Sequence, residues 1–384
     1  MLTIFHTEAS LGWGGQEIRI LKEAECMRKR GHRVIIIAEE TSGILGRAKA
    51  SGFEVVSMSF LKKDYPASFF RLLKLMKEFA PDVVNTHSSR DSWLAGLAAR
   101  ASSAQPALIR TRHLSTPVAK GIASSIVYKS LPHRVITTAE AIRDNLIRIN
   151  GCLPDRIVSI PTGVDLVLFN PLRHYKDIRA ELSLPDDTLL AGMVSVIRSW
   201  KGHDCFVEAA GILSKKFPDA RFIITGDGPR REAIEKMVKD KNLSGHVLML
   251  GHREDIPDIM AFIDILVQPS YGNEGVPQSL LQAMAMETPV VVSDIRPLLE
   301  VVTDKVTGLV AKTKDPESLA EKIEALMRDK ALRDRLGAAG RRLVVERFSM
   351  ENMADAVERT YEGVFRELRP LSVPTLERGN DKAE

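Results

Sequence analysis

The chain has 384 residues, 44% hydrophobic and 27% charged, the proportions of a soluble globular protein too long for one compact core, so two domains are expected. No run approaches the roughly 20 apolar residues that span a bilayer, Met1–Glu8 lacks the basic end and apolar core of a signal peptide, and Cys26, Cys152 and Cys205 have neither disulfide nor metal-ligand spacing; a cytoplasmic protein is expected. The net charge of +4 divides into about +8 over residues 1–170 and about −4 over the rest, so the first half could meet anionic lipid or an anionic acceptor, whereas nucleic acid is disfavoured because no basic stretch is interleaved with stacking aromatics.

In chain order, apolar runs alternate with helical patterns, the signature of α/β architecture with parallel sheets. The first half predicts strands at Leu2–His6, Val34–Ala38, Glu54–Met58, Val83–His87, Ala107–Thr111 and Arg134–Thr138. A Pro-rich, polar connector follows near Pro161–Asp187. The second half predicts strands at Leu189–Val196, Arg221–Thr225, Val247–Leu250, Ile265–Gln268 and Pro289–Ser293. Helices over 17–30, 230–241 and 316–328 carry charge on one face and Leu, Ile, Met or Ala on the other, and Phe348–Arg369 reads as one more amphipathic helix. The tail from Pro370 is polar and expected to fray.

The most informative stretch runs from Tyr271 to Ala285, Tyr-Gly-Asn-Glu-Gly-Val-Pro-Gln-Ser-Leu-Leu-Gln-Ala-Met-Ala. A loop with one acid, Glu274, enters a helix through Gly275, Val276 and Pro277. Proline suits a helix's first turn, and the free amides at Gly275, Val276 and Gln278 favour phosphate above that end. A carboxylate beside a phosphate site points to a ligand with hydroxyls next to a diphosphate, a nucleotide-sugar. Arg198 and Lys201 follow a strand and can converge on one diphosphate, Arg as a fork of donors and Lys as a compact charge. Gly12, Gly14 and Gly15 follow the first strand, where glycine lets a backbone approach a ligand closely; a plain strand–helix turn is the competing reading.

These segments resemble the retaining glycosyltransferase family 4. Glu274 with Gln282 matches its Glu-x7-Glu signature with the second acid replaced. Asp264–Ser270 resembles the strand entering the site, Gly226–Pro229 the Gly-x-Gly-Pro turn, Arg198–Gly202 the Arg…Lys-Gly element and Gly14–Glu17 the Gly-Gly-x-Glu loop. The resemblance implies a GT-B fold: two Rossmann-like doubly wound domains facing across a cleft. It implies an acceptor-side domain over 1–168, a nucleotide-sugar domain over 169–347, a helix over 348–369 crossing back to the first domain, and a tail over 370–384. Ligands of such sheets bind beyond the carboxyl ends of the strands.

The resemblance also distributes roles. Glu274 contacts the donor sugar and, with the strand-end His87, forms the catalytic pair. Arg198, Lys201, Gly14, Gly15, Gly275, Val276 and Gln278 bind the diphosphate. Gln282 takes the ribose diol, with an amide in place of the stronger charge-assisted bond of a carboxylate. Arg253 lies beside the nucleobase, by its backbone more than its side chain, and Arg112 and His113 lie on the acceptor side. Capping, local satisfaction and plain surface charge are the competing readings for Glu274, His87 and the bases.

No metal and no cofactor are expected, with positive side chains and helix amides in place of a divalent ion. The donor is a nucleoside-diphosphate sugar, UDP being the commonest carrier in the family, and the acceptor a glycan or lipid-linked glycan such as that of lipopolysaccharide. Bases and large apolar residues are interleaved over Phe60–Phe79, which fits peripheral contact with the anionic inner face of the membrane; an ordinary helix with Leu72, Leu73 and Met76 in the core is the alternative. Rival activities are a GT-B sugar-nucleotide epimerase, a phosphorylase, or a catalytically silent GT-B binding subunit.

Overall fold

The structure, a computed structural model, describes residues 1–369. The predicted frayed tail lies outside the described residues. Two parallel sheets are present. The first joins β1 (Thr3–Glu8), β2 (Arg33–Ala38), β3 (Glu54–Ser57), β4 (Val83–Thr86), β5 (Ala107–Arg112), β6 (Arg134–Thr137) and β7 (Ile157–Ser159) in the order β3-β2-β1-β4-β5-β6-β7. The second joins β8 (Leu190–Val194), β9 (Arg221–Thr225), β10 (Val247–Gly251), β11 (Ile265–Gln268), β12 (Val290–Ser293) and β13 (Leu309–Ala311) in the order β10-β9-β8-β11-β12-β13. Central strands are buried on both faces, as helices covering a parallel sheet require, and so read as continuous apolar runs.

All eleven predicted strands form, with ends shifted by up to two residues. Two were missed, the three-residue edge strands β7 and β13, whose segments are too short to show a period. The predicted helices appear as Gly15–Lys29, Arg231–Asp240 and Pro316–Arg328.

The strand order reverses between β1 and β4 in one sheet and between β8 and β11 in the other. Such a reversal opens a crevice at the strand ends, because neighbouring connections leave in opposite directions. These two crevices position the candidate site.

The chain passes between the halves twice, at one place. Val164 pairs with Ser349: its N–H donates to Phe348 O at 2.8 Å, and Met350 N–H donates to Val164 O at 2.9 Å. The helix Met350–Leu368 then lies on the first sheet. Its stripe Met353, Ala354, Val357, Tyr361 and Val364 shares a core with Ile4, Ile20, Ile36 and Ile109. Arg30 holds it at the surface through Asp355 and Glu358, both at 2.6 Å.

Candidate functional site

In the second sheet, β8 ends at Val194 and the chain turns through Arg198 into a short helical turn, Ser199–Lys201. The Gly226–Pro229 turn braces this loop, Ile197 N–H donating to Asp227 O at 2.9 Å. Gly202 has φ +78°, and a Cβ there would stand 2.1 Å from Pro269 O, so only glycine lets this loop lie on the end of β11. Tyr271 N–H donates to Trp200 O at 2.9 Å. The two loops therefore pack as one body.

That packing brings Lys201 to Glu274. Lys201 Nζ lies 2.7 Å from Oε1 and 2.9 Å from Oε2 of a carboxylate that is 5% exposed. Ser270 Oγ donates to Oε1 at 2.7 Å, and Gln268 Nε2 donates to Ser270 Oγ at 2.7 Å. The acid is thus held by charge and by a hydroxyl chain rooted in β11. Arg198 is exposed and its guanidinium lies over Trp200, 5.3 Å from the ring centre.

The predicted helix after Glu274 forms as Gln278–Ala285, with Pro277 extended at the cap instead of inside the first turn. Val276 and Pro277 are buried, and Gln278 and Gln282 lie four residues apart on one half-buried face. Gln278 does more than offer its amide: its Nε2 donates to Gly15 O in the other half at 2.7 Å. Gly275 lies so close to the first half that a Cβ would stand 2.6 Å from Thr138 Oγ1 and 3.0 Å from His113 O. The loops after β5 and β6 thus approach the loop before this helix.

In the first sheet, the loop after β1 is stapled from below. Glu8, fully buried, accepts from Ser10 N–H at 2.6 Å and from Gln16 Nε2 at 2.5 Å. Burial, with the Asp91 carboxylate nearby, pushes its carboxyl up to about 8. Glu17 reaches back and accepts from Gly14 N–H at 2.9 Å. Gly14, expected at the diphosphate, here gives its amide to the helix start. Gly15 faces Gln278.

His87 also sits differently from expectation. It is buried, its Nε2 is 3.0 Å from His6 Nδ1, and its Nδ1 is 3.1 Å from His113 Nε2. Both ring nitrogens are used, so His87 approaches the cleft through His113. Burial, reinforced by neighbouring histidines and arginines, holds His87 and His113 well below the usual histidine range. Asp91 fixes the strand end, accepting from His87 N–H at 2.8 Å and Ser88 N–H at 2.9 Å. Arg112 turns its Nη2 to Thr116 O at 2.8 Å and so braces its own loop. Arg253, expected beside the nucleobase, has its side chain clasped by Glu181 and Asp255, each at 2.5 Å.

Sequence reasoning missed His6, Glu8, Asp91 and Ser270. Ser88-x-x-Asp91 is a capping-box pattern that could have located Asp91; a histidine or an acid inside an apolar strand gives no such signal.

Two family descriptions match: glycosyltransferase family 4 over residues 13–168 and glycosyl transferases group 1 over residues 175–343. The chain is 29% identical, over 77% of its length and 78% of the relative's, to an Escherichia coli UDP-Gal:alpha-D-GlcNAc-diphosphoundecaprenol alpha-1,3-galactosyltransferase. A glycosyltransferase from Rickettsia africae superposes with a TM-score of 0.85 at 22% identity, covering 95% of this chain and 99% of its own. Anabaena HepE in complex with UDP and glucose superposes at 0.83 and 18% identity, covering 94% of this chain and all of its own. Matched in both halves and sharing this architecture, the chain belongs to the family-4, group-1 glycosyltransferases of the GT-B fold.

Proposed function

We propose that this protein is a retaining, metal-independent transferase that moves a hexose-type sugar from a UDP-sugar to a lipid-linked glycan of the cell surface. The observation that carries this reading is the Lys201–Glu274 pair at one strand-order reversal, with exposed Arg198 beside it. A departing diphosphate gathers negative charge, and the sugar carbon it leaves becomes positive. Arg198 and Lys201 supply the first countercharge, and the amides of Gly275, Val276 and Gln278 face the same phosphates at the helix start. Glu274 sits beside the sugar, where a carboxylate accepts from hydroxyls and steadies a cationic carbon. Gln282, one turn along, binds the ribose diol.

In the step we propose, the bond from the anomeric carbon to the phosphate oxygen breaks. The acceptor oxygen bonds to that carbon from the same face, and its proton passes to the departing phosphate oxygen. The polar groups of the first half, with His113 nearest, orient the acceptor and the sugar. UDP as carrier is supported by the HepE complex, and a lipid-diphosphate acceptor by the name of the E. coli relative.

The first half also offers a surface for such an acceptor. In the helix Tyr65–Phe79, Leu72 and Met76 are buried in the core and Leu73 is half-buried. The opposite face exposes Arg71, Lys74 and Lys77, with Lys62 and Lys63 before it and Phe70 69% exposed. The core reading and the surface reading therefore hold on different faces of one helix. Among the described residues no helix is long and apolar enough to cross a membrane, and we assign this face to peripheral contact with anionic lipid on the cytoplasmic side.

The test is release of nucleoside diphosphate from UDP-, GDP- and ADP-sugars, with and without a lipid-diphosphate sugar acceptor. UDP release that depends on acceptor is expected. Sugar-nucleotide isomerisation without acceptor, or phosphate-dependent cleavage, overturns the reading in favour of an epimerase or a phosphorylase.

A further inference from the structure

Three histidines from adjacent strands form a ladder whose innermost member, His6, neither the motifs nor the proposed reaction uses. His6 lies in β1, His87 just after β4 and His113 just after β5, with links of 3.0 and 3.1 Å between ring nitrogens. The ring centres are 5.2 and 5.3 Å apart. Exposure rises along the ladder from 0% at His6 through 3% at His87 to 8% at His113, so His113 is its cleft-ward end. The nitrogens face one another and do not converge on a point, and among the described residues no group of His, Cys, Asp and Glu is arranged to hold a metal ion.

A neutral imidazole has one N–H and one lone pair. Burial and the charges of Arg19, Arg110 and Arg112 keep His87 and His113 neutral, and burial does the same for His6 against the pull of Glu23. In a chain of neutral rings each link sets the next. Only two arrangements complete both bonds: N–H on every Nε2, or N–H on every Nδ1. The far nitrogen of His6 decides between them. His6 Nε2 and Glu23 Oε2 are both buried without a hydrogen bond, and Glu23 Oε2 is ion-paired with buried Arg19, whose Nε lies 3.6 Å away. Glu23 is the charge that acts on His6, and His87 already occupies Nδ1. A carboxylate favours a hydrogen over a lone pair on the nitrogen left to meet it.

We propose that His6 is a positioning residue. Held with its proton on Nε2 by Glu23, it makes His87 and then His113 donate from Nε2, which leaves Nδ1 of His113 as a bare acceptor for a sugar hydroxyl at the cleft. The hydroxyl rests on the transferase reading; the ladder does not.

The decisive experiment is imidazole 1H–15N NMR on the full chain labelled at histidine, without any ligand. All three rings should be Nε2–H tautomers at neutral pH and stay neutral at about pH 6, below the ordinary histidine value. His113 found as the Nδ1–H tautomer, or as an imidazolium at neutral pH, overturns the inference. Glu23→Gln should shift the tautomers towards Nδ1–H, and unchanged tautomers overturn the assignment of Glu23. In the transfer assay His6→Phe should lower kcat by about 10-fold, the worth of one hydrogen bond. His6→Gln, whose amide oxygen can accept from His87, should recover most of it, and wild-type turnover in a folded His6→Phe overturns the positioning role. Should that variant fail to fold, the wild-type spectrum still decides. Nε2–H tautomers without transfer from any nucleotide-sugar sink the transferase reading alone; transfer with the opposite tautomers sinks the ladder alone.

Discussion

Lys201 Nζ lies 2.7 Å from Oε1 and 2.9 Å from Oε2 of Glu274, 73 positions away. The pair joins the loops after β8 and β11, and its carboxylate is almost wholly buried. Removing one partner leaves a buried charge without its counterion, which costs about 3–5 kcal/mol where burial is complete. Lys201 is partly exposed, so the lower end is expected. Lys201→Met should destabilise by about 2–3 kcal/mol in urea unfolding, while adding Glu274→Gln should recover at least about 1 kcal/mol. Strictly additive losses would show that the pair contributes nothing to folding. Glu274→Gln alone should keep the fold, through Ser270, and lose most transfer.

Arg198 offers the contrasting case. It is exposed, so Arg198→Ala should leave the unfolding midpoint unchanged within about 0.5 kcal/mol. Its contact with a diphosphate is worth roughly 1.5–3 kcal/mol, so kcat/KM should fall about 10- to 150-fold. Gln282→Glu should be tolerated and should tighten nucleotide binding, read by calorimetry with UDP. EDTA should leave turnover intact, and its abolition by EDTA would contradict the metal-free mechanism.

Gly202→Ala should be among the most damaging single-methyl changes in the chain. A Cβ would stand 2.1 Å from Pro269 O at a φ of +78°, so the loop must move as well as strain. The expected cost exceeds about 1 kcal/mol, with a loss of nucleotide binding because Lys201 moves with its neighbour. A thermal shift without a change in UDP affinity would show that the two loops adjust independently.

Stability should depend on pH through two opposed groups. The Glu8 carboxyl, raised from its ordinary value to about 8 by burial, binds its proton more tightly folded than unfolded, so its contribution is lost as pH climbs from about 4.5 to about 8. His87 and His113 are depressed, so theirs is present above the ordinary histidine value of about 6.5 and lost as pH falls below it. Each unit of separation between folded and unfolded values is worth about 1.4 kcal/mol. Denaturation measured across this range should show Glu8→Gln abolishing the alkaline loss and sparing the acid one. An unchanged alkaline limb would assign it to another group.

Peripheral lipid contact is testable by sedimentation with phosphatidylglycerol-containing vesicles. Binding at low salt should be weak, with about 1 kcal/mol from each nearby base, and should fade as salt rises. The combined change of Lys62, Lys63, Arg71 and Lys74 to Gln should reduce it without unfolding the chain, since all four are exposed. No binding at low salt removes the membrane contact and leaves the transferase chemistry standing.

Local signals carried much of this protein. A β-branched run such as Val290–Val292 or Ile35–Ile37 is buried on both faces wherever it sits, so its strand is legible without its neighbours. The loop positions of Glu274, Arg198 and Lys201 were legible as well, because Gly275 and Gly202 beside them mark where the chain has left its strand. Distance in sequence hid the rest. Nothing near Lys201 announces Glu274 as its partner; Gly202 fitting against Pro269 decides that. His6 looks like one polar residue in an apolar strand until β4 and β5 bring His87 and His113 alongside it. Gln278 reads as a helix-start amide, and only the approach of the two halves gives its side chain Gly15 to hold. Chain-local sterics and hydrophobic pattern act over a few residues, whereas burial, tautomer and ion pairing depend on which strands and loops the fold makes neighbours.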